Sequence, residues 1–124
     1  MTGRRAAARL GALESQVMDL LWDQGPSNIR GIIDRLPDEP AYTTIATVLG
    51  NLQRKELVIS QKEGRSTVYH SQGTREDHVA SMMNHALGGS RDRAASILHF
   101  AESIPDAELD LLRDYLQRRD RESS

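Results

Sequence analysis

Residues 42–57, YTTIATVLGNLQRKEL, have the spacing of an amphipathic helix. Large aliphatic side chains recur every three or four positions, which places them on a single helical stripe. The other side carries small or short polar side chains and ends in two cations. Such a face can lie in the major groove of DNA, where donors and acceptors identify the base pairs, although a solvated surface helix fits the same pattern. The stripe consists of Ile45, Val48, Leu49 and Leu52.

Two shorter helices are predicted before this one. Residues 10–24 place leucines and a valine on one face, and a Gly-Pro pair ends the helix. Residues 28–36 direct three isoleucines inward, with Ser27 as the expected N-cap. The proline-rich residues 37–40 then form a loop before the central helix.

A β-hairpin is predicted after the central helix. Residues 57–60 and 66–70 are rich in strand-forming side chains, and Gly64 between them can take the positive φ that a tight turn needs. Lys62 and Arg65 lie at the tip. Three helices followed by a hairpin with a basic tip are the order of a winged helix-turn-helix, in which the third helix enters the major groove and the wing lies along the backbone.

The remaining sequence predicts three short amphipathic helices. Thr74 is the expected N-cap of the first, with Asp77 completing a capping box. Ser90 is the expected N-cap of the second, over residues 91–102, and a break at residues 103–106 precedes the third. The fold class is therefore mostly α, with a winged helix-turn-helix domain and a C-terminal three-helix lobe. Its expected divisions are a flexible basic arm (1–9), a DNA-binding domain (10–73), a dimerisation domain (74–119) and a loose tail (120–124).

The apolar faces of the last three helices favour a homodimer. About fifty residues form too small a lobe to bury three such faces internally, and a second copy would cover them. Two-fold symmetry also matches a palindromic DNA site. The alternative is that these helices fold back on the first domain. The residues expected in the dimer interface are Val79, Met82, Met83, Leu87, Ile97, Leu98, Phe100, Leu109, Leu112 and Leu116.

Charge and cysteine content exclude several classes of protein. The net charge of −2 is unlike that of a nonspecific nucleic-acid binder. Residues 1–73 carry nine basic and eight acidic side chains, whereas residues 74–124 carry seven basic and ten acidic ones. Only the first part can therefore present a local basic surface. Without cysteine there is no disulfide or thiolate metal site. No apolar run reaches the ~18 residues of a membrane span. We therefore expect a soluble, cytoplasmic protein that does not insert into membranes.

Motifs of catalysis are absent from the sequence. There is no P-loop, nucleophile elbow or dinucleotide-binding glycine pattern. The histidines are scattered singly, so we expect no metal site, no cofactor and no enzymatic activity. They are His70, His78, His85 and His99.

The segments LGALESQVMDLLW, AYTTIATVLGNL and SILHFAES with ELDLLRDYL resemble the BlaI/MecI penicillinase-repressor family of bacteria. The resemblance spans roughly residues 10–116. It implies a dimeric transcriptional repressor on a dyad-symmetric operator. It also implies base reading from the central helix, with Thr44 and Thr47 as the favoured contacts. Ala46 stands where some members carry a longer polar side chain, so it would read a thymine methyl or alter specificity.

The expected DNA contacts fall into two groups. Side chains of the central helix would face base edges, and cations around it and on the wing would face phosphates. The first group is Thr43, Thr44, Ala46, Thr47, Asn51 and Arg54. The second group is Arg30, Lys55, Lys62 and Arg65.

The same resemblance implies a mode of regulation. In the β-lactam-responsive members a membrane sensor protease triggers cleavage in the C-terminal lobe, between an Asn and a Phe. The matching bond here joins His99 to Phe100, so histidine replaces that asparagine. Derepression by proteolysis or dissociation, in an antibiotic or other cell-envelope response, is the implied function. The alternative is a winged-helix adaptor that docks a protein through the same helix.

Overall fold

The computed structural model describes residues 10–123, so the predicted basic arm at 1–9 lies outside the described residues. Six helices and one two-stranded antiparallel sheet confirm the predicted fold class. The described residues form two compact units that meet between His85 and Ala86, within the fourth helix. The elements are α1 (Ala12–Gln24), α2 (Ile29–Arg35), α3 (Tyr42–Arg54), β1 (Val58–Glu63), β2 (Ser66–Ser71), α4 (Arg75–Gly88), α5 (Arg93–Ser103) and α6 (Asp106–Ser123).

One hydrophobic core joins the first three helices. The predicted stripe of α3 is buried against the inner faces of α1 and α2, and the start of β1 closes the core. Fully burying an aliphatic side chain of this size contributes about 1.5–3 kcal/mol, so these contacts hold α3 in place with its other face outward. The core consists of Val17, Met18, Leu21, Ile29, Ile32, Ile33, Leu36, Ile45, Val48, Leu49, Leu52, Leu57 and Val58.

The end of α3 differs from the prediction, because the helix stops at Arg54 and does not continue to residue 57. Glu56 takes a left-handed conformation with φ +62°. Its N–H donates to the Gln53 carbonyl, and the Leu57 N–H donates to the Leu52 carbonyl at 2.9 Å. This is the Schellman pattern of helix termination, with glutamate in the place that glycine usually takes.

The wing is a hairpin with a two-residue loop. Glu63 pairs with Ser66, and Gly64 between them has φ +65°, which confirms the predicted positive-φ position. Ser27 pairs with Tyr69 of β2 through two backbone hydrogen bonds of 2.8 and 3.1 Å. The wing is thereby attached to the chain just before α2.

Two N-cap predictions were wrong by one or two residues. Asn28, and not Ser27, caps α2, since its side chain accepts from the Gly31 N–H at 2.8 Å while Ser27 pairs with β2. Asp92, and not Ser90, caps α5 by accepting from the Ala95 N–H at 3.0 Å. In both cases the residue nearer the helix offers the better-placed oxygen for the exposed first-turn N–H groups.

The capping box at the start of α4 is confirmed. The Asp77 N–H donates to Thr74 Oγ1 at 3.0 Å, and the Thr74 N–H donates to Asp77 Oδ2 at 2.9 Å. These reciprocal bonds satisfy two otherwise unpaired backbone groups and fix the residue at which α4 begins.

The C-terminal tail was expected to be loose, but α6 continues to Ser123. No glycine or proline interrupts residues 106–123, so nothing in the chain ends the helix earlier. Among the helices of residues 10–123, none combines the length and the apolarity that crossing a membrane requires.

An ion pair between α1 and the end of α3 predicts a pH-dependent stability. Burial alone would raise the pKa of Glu14, but hydrogen bonds from Lys55 (2.8 Å) and the Gly11 N–H, with the Lys55 charge, lower it below the ordinary value. A lowered folded-state pKa stabilises the fold above the ordinary carboxyl pKa, and this contribution disappears as pH falls through the lowered value. Glu14→Gln should therefore reduce the free energy of unfolding by about 1 kcal/mol at neutral pH.

Urea unfolding between neutral and acidic pH measures this effect. The difference between wild type and Glu14→Gln should shrink toward acidic pH. Glu63→Gln, on the exposed wing, removes the same charge away from Lys55 and serves as the control. A difference that stays constant with pH would contradict the assignment.

Candidate nucleic-acid interface

The side of α3 that faces away from the core is accessible along its length. Thr43, Thr47 and Arg54 are exposed and, at 100° per residue, lie opposite the buried stripe. Thr44 is exposed at one edge of this surface. Because threonine side chains are short, a DNA duplex can approach the helix backbone closely here.

The remaining members of the predicted base-reading set are less accessible. Ala46 is half-buried and packs against the core, so its methyl group offers only a small apolar contact. Asn51 is also half-buried, and its Oδ1 accepts a hydrogen bond from Arg54 Nη2. The shared bond presents the amide and the guanidinium as one donor-rich unit at the C-terminal end of the surface.

Two predicted phosphate-binding arginines lie around one cleft. The Arg30 guanidinium carbon lies 6.0 Å from the centre of the Tyr42 ring, within the range of a cation–π interaction. Arg65 of the wing loop lines the same cleft, which has a volume of about 240 Å³. The other lining residues are mostly polar. The complete set is Asn28, Ile29, Arg30, Tyr42, Arg65, Ser66, Thr67 and Tyr69.

This cleft has the chemistry of a phosphate contact. Two arginines and several side chains with hydroxyl or amide groups line it beside the start of α3, and phosphate oxygens accept hydrogen bonds from groups of these types. Sequence reasoning missed Tyr42 and Asn28 as members of the site. The available signal was an aromatic residue, Tyr42, immediately before the threonines at an exposed helix start.

The two lysines of the predicted phosphate set differ in availability. Lys62 is exposed on β1 near the wing tip. Lys55 Nζ instead lies 2.8 and 3.1 Å from the two carboxylate oxygens of Glu14. The lysine therefore ties α3 to α1, and a phosphate would have to displace a partly buried carboxylate to bind it.

The helices beyond the wing expose large apolar side chains. Leu98 on α5 is 65% exposed, and Leu116 on α6 is 57% exposed. Single exposed leucines are ordinary, whereas closely spaced exposed apolar side chains are typical of interaction surfaces in general. Leu87 and Leu109 are half-buried. The other exposed members of the predicted interface are Val79, Met82, Met83, Ile97, Phe100 and Leu112.

Within residues 10–123 no cluster of three or more histidine, aspartate or glutamate side chains could hold a metal ion. His99 is exposed, and its Nδ1 lies 3.7 Å from Glu102 Oε1. The peptide bond between His99 and Phe100 lies within α5. A protease would have to unwind that part of the helix to cut there, because proteases act on locally unfolded chain.

The chain resembles known proteins over most of its length. A family model described as penicillinase repressor matches residues 10–118. Two curated proteins named transcriptional regulator BlaI, from two strains of Mycobacterium tuberculosis, are 38% identical to this chain over 111 residues, covering 85% of it and 80% of theirs.

The chain is also similar to two solved structures of transcriptional regulators. The DNA-binding domain of the repressor BlaI is 27% identical, with a TM-score of 0.51, over 58% of this chain and 90% of that one. An ArsR-like transcriptional regulator from Rhodococcus is 25% identical, with a TM-score of 0.52, over 76% of this chain and 86% of that one.

Proposed function

This chain belongs to the penicillinase repressor family, and on that premise we propose that it represses transcription as a homodimer bound to a dyad-symmetric DNA operator. A DNA-binding transcriptional repressor is the function that the family and its BlaI relatives support, and these are regulators, not enzymes. The observation that carries the proposal is the exposed threonine face of α3 beside a cleft lined by Arg30 and Arg65.

In the proposed complex α3 lies in the major groove. Thr44 and Thr47 contact base edges, with Thr43 and the linked Asn51 and Arg54 reading neighbouring positions. Ala46 offers its methyl group to a thymine. Hydroxyl groups on a surface without long side chains suit this role because they donate and accept at short range.

Phosphates are bound on both sides of that helix. Arg30 and Arg65 hold one backbone segment in their shared cleft, and Lys62 contacts the backbone that runs under the wing. Lys55 contributes less in this proposal than it would if free, because Glu14 neutralises it.

In the proposed function the repressor acts as a dimer. The apolar residues of α4, α5 and α6 that a single chain leaves exposed would be buried against a second copy. Two coupled copies then place two α3 helices on successive major grooves of one face of the duplex.

Two single variants separate base reading from phosphate binding. Thr44→Ala should weaken binding unevenly across operator variants, by up to about tenfold where its contacted base is present. Arg65→Ala should weaken binding to all of them alike and reduce the salt slope by about one. Titrations against a panel of single-base operator variants measure both. Identical profiles for the two variants would contradict this division of roles.

Salt dependence tests DNA binding against the adaptor alternative. If phosphates are neutralised, the logarithm of the affinity for duplex DNA falls linearly with the logarithm of the salt concentration. Affinity that does not change with salt would favour an adaptor that docks a protein. If the affinity does fall with salt, selection of bound fragments from genomic DNA would identify the operator.

We also propose that derepression acts through the dimer. Cleavage between His99 and Phe100, started by a membrane sensor protease in a β-lactam or cell-envelope response, would remove Phe100 and all of α6. The leucines of α6 would then be lost from the interface. A chain ending at His99 should therefore bind the dyad operator far more weakly than the full chain.

A further inference from the structure

Arg75, in the first turn of α4, contacts three side chains of α1. Its Nη2 lies 3.0 Å from Asp19 Oδ1, and its Nη1 lies 2.9 Å from Asp23 Oδ1. Its guanidinium carbon lies 5.2 Å from the centre of the Trp22 ring. Asp19 and Asp23 are one helical turn apart, so the planar guanidinium spans the two carboxylates while its carbon lies over the Trp22 ring.

Trp22 also contacts residues at the start of α4. Its Nε1 donates to the Gly73 carbonyl at 3.2 Å, just before α4 begins. The His78 ring, one turn further along α4, lies 5.7 Å from the Trp22 ring. Burial lowers the pKa of His78, which disfavours a charged imidazolium beside Arg75.

The contacts of Arg75 are exposed, so they contribute little to the free energy of unfolding. Their geometry bears instead on the angle between α1 and α4. The side chains of Asp19 and Asp23 are 58% and 57% exposed, and ion pairs at such sites stabilise a fold very little. Because two carboxylates and one ring contact the same guanidinium, these weak contacts together nevertheless favour one angle between α1 and the start of α4.

We propose that Arg75 is a positioning residue that sets the direction of α4 relative to α1. It thereby sets the operator half-site spacing that the dimer accepts. This inference rests on the proposed function, because α4 carries Val79, Met82 and Met83 of the expected dimer interface. Half-site spacing is the quantity at issue because a dimer reads two sites whose separation must match that of its two α3 helices.

The experiment compares operators whose half-site spacing is lengthened or shortened by one or two base pairs. Wild type should bind one spacing much more tightly than the others. Arg75→Ala should reduce that preference by about tenfold, since a looser connection lets the second half-site be reached at several spacings. Its affinity for a single half-site and its thermal midpoint should change little. Arg75→Lys should retain the spacing preference of the wild type only in part, because an ammonium cannot span two carboxylates.

Arg91→Ala is the matched control. It removes an exposed arginine from the loop before α5 and should leave the spacing profile of the wild type unchanged. A sharp wild-type profile that Arg75→Ala retains would overturn this inference and leave the proposed function intact. A wild type that shows no preference for paired half-sites would refute the proposed function, and the inference with it.

Discussion

Leu98→Asp should give a folded monomer whose affinity for the dyad operator is lower by about 100-fold or more. Leu98 is 65% exposed on a single chain, so a carboxylate there remains hydrated and does not disturb the fold of the monomer. In the proposed dimer the same position is buried between two copies. A pair of unpaired carboxylates in that interface costs far more than the apolar contact that it replaces.

The loss of affinity follows from the separation of the two half-sites. In a dimer the second half-site binds at the high effective concentration set by the first, whereas a monomer gains nothing from the second. Sedimentation of the free protein measures its oligomeric state, and titration of the operator measures its affinity. A chain truncated after His99 should behave in the same way.

Gln117→Glu is the control for added charge. Gln117 is exposed on α6 and lies on a different side of that helix from Leu112 and Leu116, so its new charge falls outside the apolar stripe. This variant should remain dimeric and bind the operator normally. If Leu98→Asp remained dimeric at working concentration, the expected interface would be refuted.

The elements that could be predicted from the sequence are those that local patterning determines. The period of the aliphatic residues in α3, the Thr74–Asp77 capping box and the glycine at the wing turn each depend on side chains a few positions apart. For the same reason the threonine face of α3 was predictable, since burying one stripe exposes the opposite one.

Contacts between distant segments could not be predicted in the same way. Lys55 was predicted to contact phosphate, but nothing in the sequence indicated that it pairs with Glu14, 41 positions away. The contact between Arg75 and Asp19 spans 56 positions. Neither spacing leaves a periodic signal, because tertiary packing alone brings these charges together. The early end of α3 was missed because Glu56 adopts a conformation that its residue type rarely takes.

The second large effect is expected at the middle of the recognition surface. Thr47→Asp should weaken operator binding by at least about 100-fold, because each subunit would direct a carboxylate into the electronegative groove. Thr47 is exposed and outside the core, so the fold and the dimer should be unaffected. Circular dichroism, sedimentation and operator titration together separate a loss of binding from a loss of structure.

Gln53→Glu provides the matched control for Thr47→Asp. Gln53 lies on the same helix but faces β1, where its side chain donates to Ser60 Oγ at 3.0 Å. The glutamate can accept from that hydroxyl, so the hydrogen bond is kept while the same negative charge is added. If charge near DNA were the whole effect, the two variants would weaken binding equally. Because only Thr47 faces the groove in the proposed complex, Gln53→Glu should retain most of the affinity, and equal losses would mean that α3 does not present this face to DNA.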